Sequence, residues 1–287
     1  MTNAVAAQSK KKMNLLHIIG KIALYALLIF LSCVMLLPFV WMLSSSLKLS
    51  REVFQYPLKW IPEAFQWQNY VDIWVKVSLA TYLKNTAVLA ITVTFMQLLT
   101  SSFAAYAFAK LRFRGRDALF LCYITTIAVP WQVYMIPQFV MMRRLGLYDT
   151  LMALVVLQSF SAFGVFLMRQ FYLGIPNELC EAARIDGLSE YGIWARIMLP
   201  LAKPAIATLT IFTFVNTWND YLGPMIYLTS DEVKTIQVGL RRFIQAYTAD
   251  YHLIMAASLC SLVPVGIVFL FLQRYFIEGI ATSGLKG

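Results

Sequence analysis

Six long apolar stretches govern what this chain can fold into: residues 22–43, 85–109, 118–142, 151–171, 203–222 and 252–273. A helix needs about 20 residues, at about 1.5 Å each, to cross the roughly 30 Å of hydrocarbon in a bilayer. All six meet that length. None alternates apolar with polar residues over about ten positions, as barrel strands do. Composition agrees: of the 287 residues, 60% are hydrophobic and 13% charged, against about 45–50% and about 25% in soluble domains. The expected fold is all-α, a polytopic membrane protein with six transmembrane helices over residues 22–273 and tails at 1–21 and 274–287.

A net charge of +10 would raise nucleic-acid binding for a soluble protein. Here the basic residues cluster beside apolar runs, at Lys10-Lys11-Lys12 and at Lys110, Arg112, Arg114 and Arg116. They read as anchors to anionic headgroups of the lipid bilayer, and no nucleic-acid partner is expected. The run 22–43 is too long for a signal-peptide core and reads as an uncleaved first span. Cys33, Cys122, Cys180 and Cys260 are isolated, and His17 and His252 solitary. Neither a metal site nor a structural disulfide is expected.

Six spans put both termini on one side, with the loops at 110–117 and 169–203. That side carries 14 of the 24 Lys and Arg and all the dense clusters, so it is expected to be cytoplasmic. Residues 44–84 are rich in aromatics and proline, a mixture suited to the headgroup level. Pro38, Pro130, Pro137 and Pro264 interrupt spans, as packing kinks or as gating hinges.

The stretch 174–202 is too long to be only a connector. Asn177 can cap a helix, with Glu178 in its first turn. Ala182 and Ala183 favour helix, and Gly187 offers a left-handed stop. The result is a helix of about two and a half turns outside the membrane. Its Ala-Ala face would admit a partner's surface closely, and Glu181 and Arg184, three apart, could pair across an interface. Considered alone, such a helix could equally lie at the membrane interface.

Glu181-Ala182-Ala183, then Gly187, then Ile197-Met198-Leu199-Pro200 resembles the EAA loop of binding-protein-dependent ABC importer permeases. The run Ser101–Lys110 followed by Phe113-Arg114-Gly115-Arg116 is similar to the second span and its exit in the carbohydrate branch of that family. So is Trp218-Asn219-Asp220-Tyr221. The ending Gln273–Gly279 with Gly284-Leu285-Lys286-Gly287 resembles the shorter membrane subunit of maltose-type importers, although Ser283-Gly284-Leu285 departs from the small-residue run expected there.

The resemblance implies a type I importer permease in a bacterial-type plasma (inner) membrane, with 174–202 as a cytoplasmic coupling helix. The ATPase-coupling residues would be Glu181, Ala182, Ala183, Asp186, Gly187, Leu199 and Pro200. Its partners would be a second homologous permease, two ABC ATPase subunits and an extracytoplasmic solute-binding protein. This chain would bind no cofactor, ATP and Mg being held by the ATPase subunits. The nearest approach to a phosphate loop, Gly279–Lys286, has Leu where Lys should follow the second Gly and lacks a Ser or Thr after its Lys.

Polar residues within spans are candidates for a solute path: Gln97, Ser101, Ser102, Gln132, Gln158, Ser159, Ser161, Asn216 and Asn219. Interhelical hydrogen bonding is the other reading. The group Gln132, Asn216, Trp218, Asn219 and Asp220 suits a sugar, amides and carboxylate for hydroxyls and an indole for a C–H face. Trp218 reads equally as an interface anchor, and Asp220 as a solvated helix end. The cargo is expected to be a sugar or oligosaccharide, with glycerol phosphate or another solute as the alternative. A secondary transporter would need acidic residues deep in its spans, and a membrane enzyme a convergent catalytic cluster; neither pattern is present in the sequence.

Overall fold

The structure is a computed structural model that describes the backbone of residues 2–244 and 250–284 and the side chains of 17–244 and 250–274. Expectations placed on the basic N-terminal tail, on the run after Arg274 and on Gly279–Lys286 lie outside the described side chains.

The principal helices are α1 (Thr2–Ser46), α2 (Leu79–Lys110), α3 (Arg116–Thr125), α4 (Trp131–Arg144) and α5 (Leu151–Gln158). There follow α6 (Ala162–Leu173), α7 (Asn177–Ile185), α8 (Lys203–Asn219), α9 (Leu222–Tyr227) and α10 (Tyr251–Gly284). No strand occurs among the described residues. Three helices, α1, α2 and α10, are each long and apolar enough to cross a membrane. The number reaches six when each bent pair is one span: Arg116–Ala128 with Trp131–Arg144, Leu151–Gln158 with Ala162–Leu173, and Glu190–Leu201 with Lys203–Asn219.

Every apolar stretch of the sequence is thus helical, and the third is interrupted at Pro130, one of the prolines expected to disturb a span. It turns by 98° between its two parts. Pro130 has no N–H to give, and its ring drives the preceding residue out of the helical region. Val129 accordingly adopts φ −86°, ψ 112°. Pro38, Pro137 and Pro264 remain inside helices. The fourth span also breaks, by 42° and without any proline, at residues 159–161. Ser161 Oγ accepts the Gly164 N–H at 3.0 Å and caps α6. The carbonyls freed ahead of it go to α2: Gln97 Nε2 donates to Gln158 O and Thr100 Oγ1 to Ser159 O, both at 2.7 Å.

The chain divides into two compact units, Met1–Tyr70 with Asp250–Leu259 and Val71–Ala249 with Cys260–Gly287. In the first, the aromatic segment folds back on the end of α1. Buried Asn69 donates through Nδ2 to Ser46 O and Lys48 O at 2.8 and 2.9 Å. The Lys48 ammonium lies 4.3 Å from the centre of the Trp41 ring, which Trp60 meets edge-on at 5.3 Å. The segment is a folded cap, with Tyr56, Ile61 and Trp67 left exposed.

In the second unit α2 is the axis. Its small residues Ser101, Ala105 and Ala109 recur every four positions, all buried, and pack with Gly164, Val165, Met168 and Tyr172 of α6. Lipid tails are as apolar as the helices, so association there relies on such close, small-residue seams. α8 packs on the same axis: Thr213 Oγ1 donates to Gln97 Oε1 at 2.8 Å, and Phe214 and Trp218 cluster with Ala90. At one end of the unit Lys110 meets Ile175 and Asn177. At the other, Asn85 donates to the carbonyls of Glu232 and Lys234, and Asp149 accepts the N–H groups of Thr229 and Ser230. Loops that the sequence assigns to one side therefore meet at one end.

A Cβ at Gly164 would lie 2.4 Å from Ser101 Oγ and 3.1 Å from Ser101 Cβ. Gly164→Ala is expected to destabilise the detergent-solubilised chain by about 1–3 kcal/mol, the usual range for overpacking. Ser101→Gly in the same chain should recover most of that loss. Identical melting curves for wild type and Gly164→Ala would contradict a tight seam.

Candidate functional site

The segment 174–202 is built around α7. The helix starts at Asn177 behind Pro176, whose ring fixes the entering backbone. Asn177 does not cap it, contrary to expectation; its Oδ1 accepts instead from Lys110 Nζ at 2.8 Å. The far end closes as expected. Gly187 has φ +81°, its N–H donates to Arg184 O at 3.0 Å, and the Leu188 N–H donates to Ala183 O at 2.9 Å. These are the two bonds of a Schellman stop, which a left-handed glycine permits at least cost.

Cys180 and Ala183, three apart on one face, are buried among Tyr172, Ile193 and Met198. Glu181, Ala182, Asp186 and Gly187 are exposed, and Ile185 is 87% exposed. The Ala-Ala face expected to receive a partner is therefore divided. Ala183 seats the helix on its own chain, and only Ala182 looks outward.

Both ends of α7 are tied to α2. Lys110 Nζ donates to Ile175 O at 2.6 Å as well as to Asn177. At the other end Arg184 donates from Nε and Nη2 to the two Glu190 oxygens at 2.7 and 3.2 Å, and Tyr106 OH donates to Glu190 Oε2 at 2.5 Å. Such charge-assisted, forked contacts are the stronger kind of hydrogen bond. The Arg184 guanidinium, helped by the Tyr106 hydroxyl, holds the Glu190 carboxyl below the usual carboxylate range. Arg184 is thus committed inside the chain and does not pair with Glu181, which forms no ion pair among the described residues.

Glu190, Tyr106 and the anchoring role of Lys110 were not singled out by sequence reasoning. The available signal was Ser189-Glu190, a helix-start pair; Ser189 Oγ accepts the Gly192 N–H at 3.2 Å. Beyond it, Trp194–Met198 widens into a π turn ahead of Pro200, as helices do at special positions. Leu199 is half-buried there and Pro200 exposed. A cleft of about 580 Å³ separates α7 from the end of α2, with Lys110, Arg112, Arg116, Glu181, Arg184 and Glu190 on its walls.

The solute-path candidates divide. Asn216 and Asp220 line a cleft of about 440 Å³ with Gln97, Gln158, Thr213 and Thr217. Asp220, far from being a free helix end, accepts the Gln158 amide at 2.8 Å and the Gly223 N–H at 3.1 Å. A second cavity, about 210 Å³, shares Gln158 and Asp220 and is walled by Trp131, Tyr134 and Tyr227.

Trp218 corrects both expectations placed on it. It is 2% exposed, stacks on Phe214 at 5.4 Å and donates its indole N–H to Ser261 O at 3.0 Å. It is neither an interface anchor nor a sugar platform, because an indole whose N–H finds a buried acceptor is retained in the core. Asn219 is exposed and accepts from Gln237 at 3.3 Å. Gln132 is exposed on α4 and lines neither cavity.

Comparison with known proteins adds to this geometry. Residues 97–282 match the family model described as "Binding-protein-dependent transport system inner membrane component". The chain is 34% identical over 261 residues to the arabinooligosaccharides transport system permease protein AraQ of Halalkalibacterium halodurans, covering 90% of this chain and 94% of that one. It is 33% identical over 242 residues to the sn-glycerol-3-phosphate transport system permease protein UgpE of Pectobacterium atrosepticum, covering 82% and 86%. Among solved structures, a chain of a bacterial ABC transporter involved in the import of the acidic polysaccharide alginate superposes with a TM-score of 0.80, at 28% identity over 91% of this chain and 97% of that one. Six apolar spans, a helix tethered outside them and these likenesses agree: the chain belongs to the family of binding-protein-dependent transport system inner membrane components and is a membrane-spanning permease subunit of an ABC importer.

Proposed function

We propose that this chain carries a sugar or oligosaccharide across the plasma membrane, taking it from an extracytoplasmic binding protein. It works beside a second, related permease, with two ATPase subunits that bind ATP and Mg and dock on segment 174–202. Both termini then lie in the cytoplasm. The observation that carries the coupling role is the state of α7: an outer face of Glu181, Ala182 and Ile185 left uncovered, on a helix whose inner face and both ends are fastened to the chain. A helix held in this way transmits displacement to α2 instead of swivelling under load.

The relatives named above serve arabino-oligosaccharides, alginate and glycerol phosphate. A sugar is favoured over a phosphorylated solute because the cleft beside Asn216 is lined by amides, hydroxyls, one carboxylate and the rings of Phe163 and Phe212, with no Lys or Arg. A phosphate would meet the charge of Asp220 with no cation to offset it.

Glu181→Lys should abolish uptake and the stimulation of ATP hydrolysis by loaded binding protein, while the chain remains in the membrane. Gly187→Val should do the same, since a left-handed backbone costs a residue with a Cβ roughly 1–2 kcal/mol. Unchanged uptake in both would refute the coupling role. Tyr106→Phe and Lys110→Met each remove hydrogen bonds of about 1–3 kcal/mol. Stimulated hydrolysis in reconstituted vesicles should fall about tenfold in either, with basal hydrolysis unaltered. Wild-type stimulation would mean that the tethers do not carry the coupling.

A further inference from the structure

Asp220 presents a problem that the fold alone does not solve. Its carboxylate stands at the end of an apolar span, half-buried, and forms no ion pair among the described residues. An uncompensated carboxylate in such a place is costly and marks a functional position by default. A neutral Asn or Ser would cap α9 as well. The approach is also deliberately close: a Cβ on Gly223 would lie 2.5 Å from Asp220 Oδ2.

The carboxylate and its partner Gln158 stand between the two cavities. The smaller one is lined by Trp131, Tyr134 and Tyr227 together with this polar pair, and Trp131 is steadied by donating its N–H to Gln138 Oε1 at 2.9 Å. Aromatic rings beside a carboxylate and an amide are the groups that suit the two surfaces of a sugar ring, its C–H face and its hydroxyl rim. Each Asp220 oxygen already accepts one N–H, from Gln158 or from Gly223, and a carboxylate oxygen can take a second donor, which a ring hydroxyl supplies; a uronate or a phosphate would meet like charge. The volume, about 210 Å³, suits a single sugar ring and not an oligosaccharide.

We infer that this cavity is a subsite for one ring of a neutral saccharide, in which Asp220 and Gln158 accept and orient hydroxyls and Trp131 and Tyr134 cover the C–H face. The inference rests on the sugar reading of the cargo and deepens it: this chain itself holds the sugar during passage and is not only a force-transmitting wall.

The test uses the assembled importer in proteoliposomes, with its ATPases, second permease and binding protein. The probe is a tritiated mixture of neutral oligosaccharides from partial hydrolysis of arabinan and starch. Asp220→Asn, which keeps the acceptor for the Gly223 N–H, and Trp131→Ala should each leave stimulated ATP hydrolysis within about twofold of wild type. Each should lower the sugar delivered per ATP by about tenfold or more, the scale on which a lost hydroxyl contact discriminates. Trp131→Tyr, which restores a ring, should recover most of it. Normal delivery in both variants overturns the subsite. So does a parallel fall in hydrolysis and uptake, which would make Asp220 a structural prop. If the wild-type importer takes up no saccharide from the mixture, the sugar reading itself falls; normal wild-type uptake with unaffected variants removes the subsite alone.

Discussion

Where the fourth span breaks, the carbonyls of Gln158 and Ser159 lose their helical partners, and side chains of α2 take their place. Hydrocarbon has no water to do this, so an interruption at membrane depth survives only where protein satisfies the backbone. That constraint orders much of the second unit. Gln97 must lie level with the break, which fixes the height of α2 against α5 and α6. Its Oε1 is then free to accept from Thr213, which fixes α8 as well. Asp220 follows within the same set of contacts, through the Gln158 amide.

The helix that answers the break also carries the tethers of α7. Along α2, Gln97 and Thr100 serve the broken span, Ser101, Ala105 and Ala109 form the seam, and Tyr106 and Lys110 hold the outer helix. The cleft that could receive a solute and the surface that could receive an ATPase are thus connected by one rigid element, about 48 Å long at about 1.5 Å per residue over its 32 residues. Small residues at the seam keep α2 and α6 in close contact.

Much of this was legible in the sequence, and its failures have physical causes. Hydrophobic length alone located every span, and Gly187 marked the helix stop because few other residues accept its backbone angle. Proline was a poor guide to breaks. Pro38, Pro137 and Pro264 stay within helices and Pro130 ends one. The break at 159–161 carried no proline, only a Ser-Phe-Ser run, and its stabilising partners lie about 60 residues earlier in the chain. Trp218 departs from its expectation for the same reason: its acceptor, Ser261, comes from α10, and nothing local announces it. In the EAA segment the residue types were informative, but the division of Ala182 from Ala183 between outside and inside required knowing which face of α7 meets the core.

In the proposed coupling, the outer face of α7 is seated on a nucleotide-hydrolysing partner. The most direct measurement places a cysteine at the exposed position 182 (Ala182→Cys) in a chain whose four native cysteines are replaced, and applies a short bifunctional thiol reagent to the assembled importer in inverted membrane vesicles. A covalent product between this chain and the ATPase subunit is expected, its yield changing when ATP is added. Labelling of that cysteine only by impermeant reagents applied from outside the cell, or an unchanging absence of any ATPase product, would contradict it.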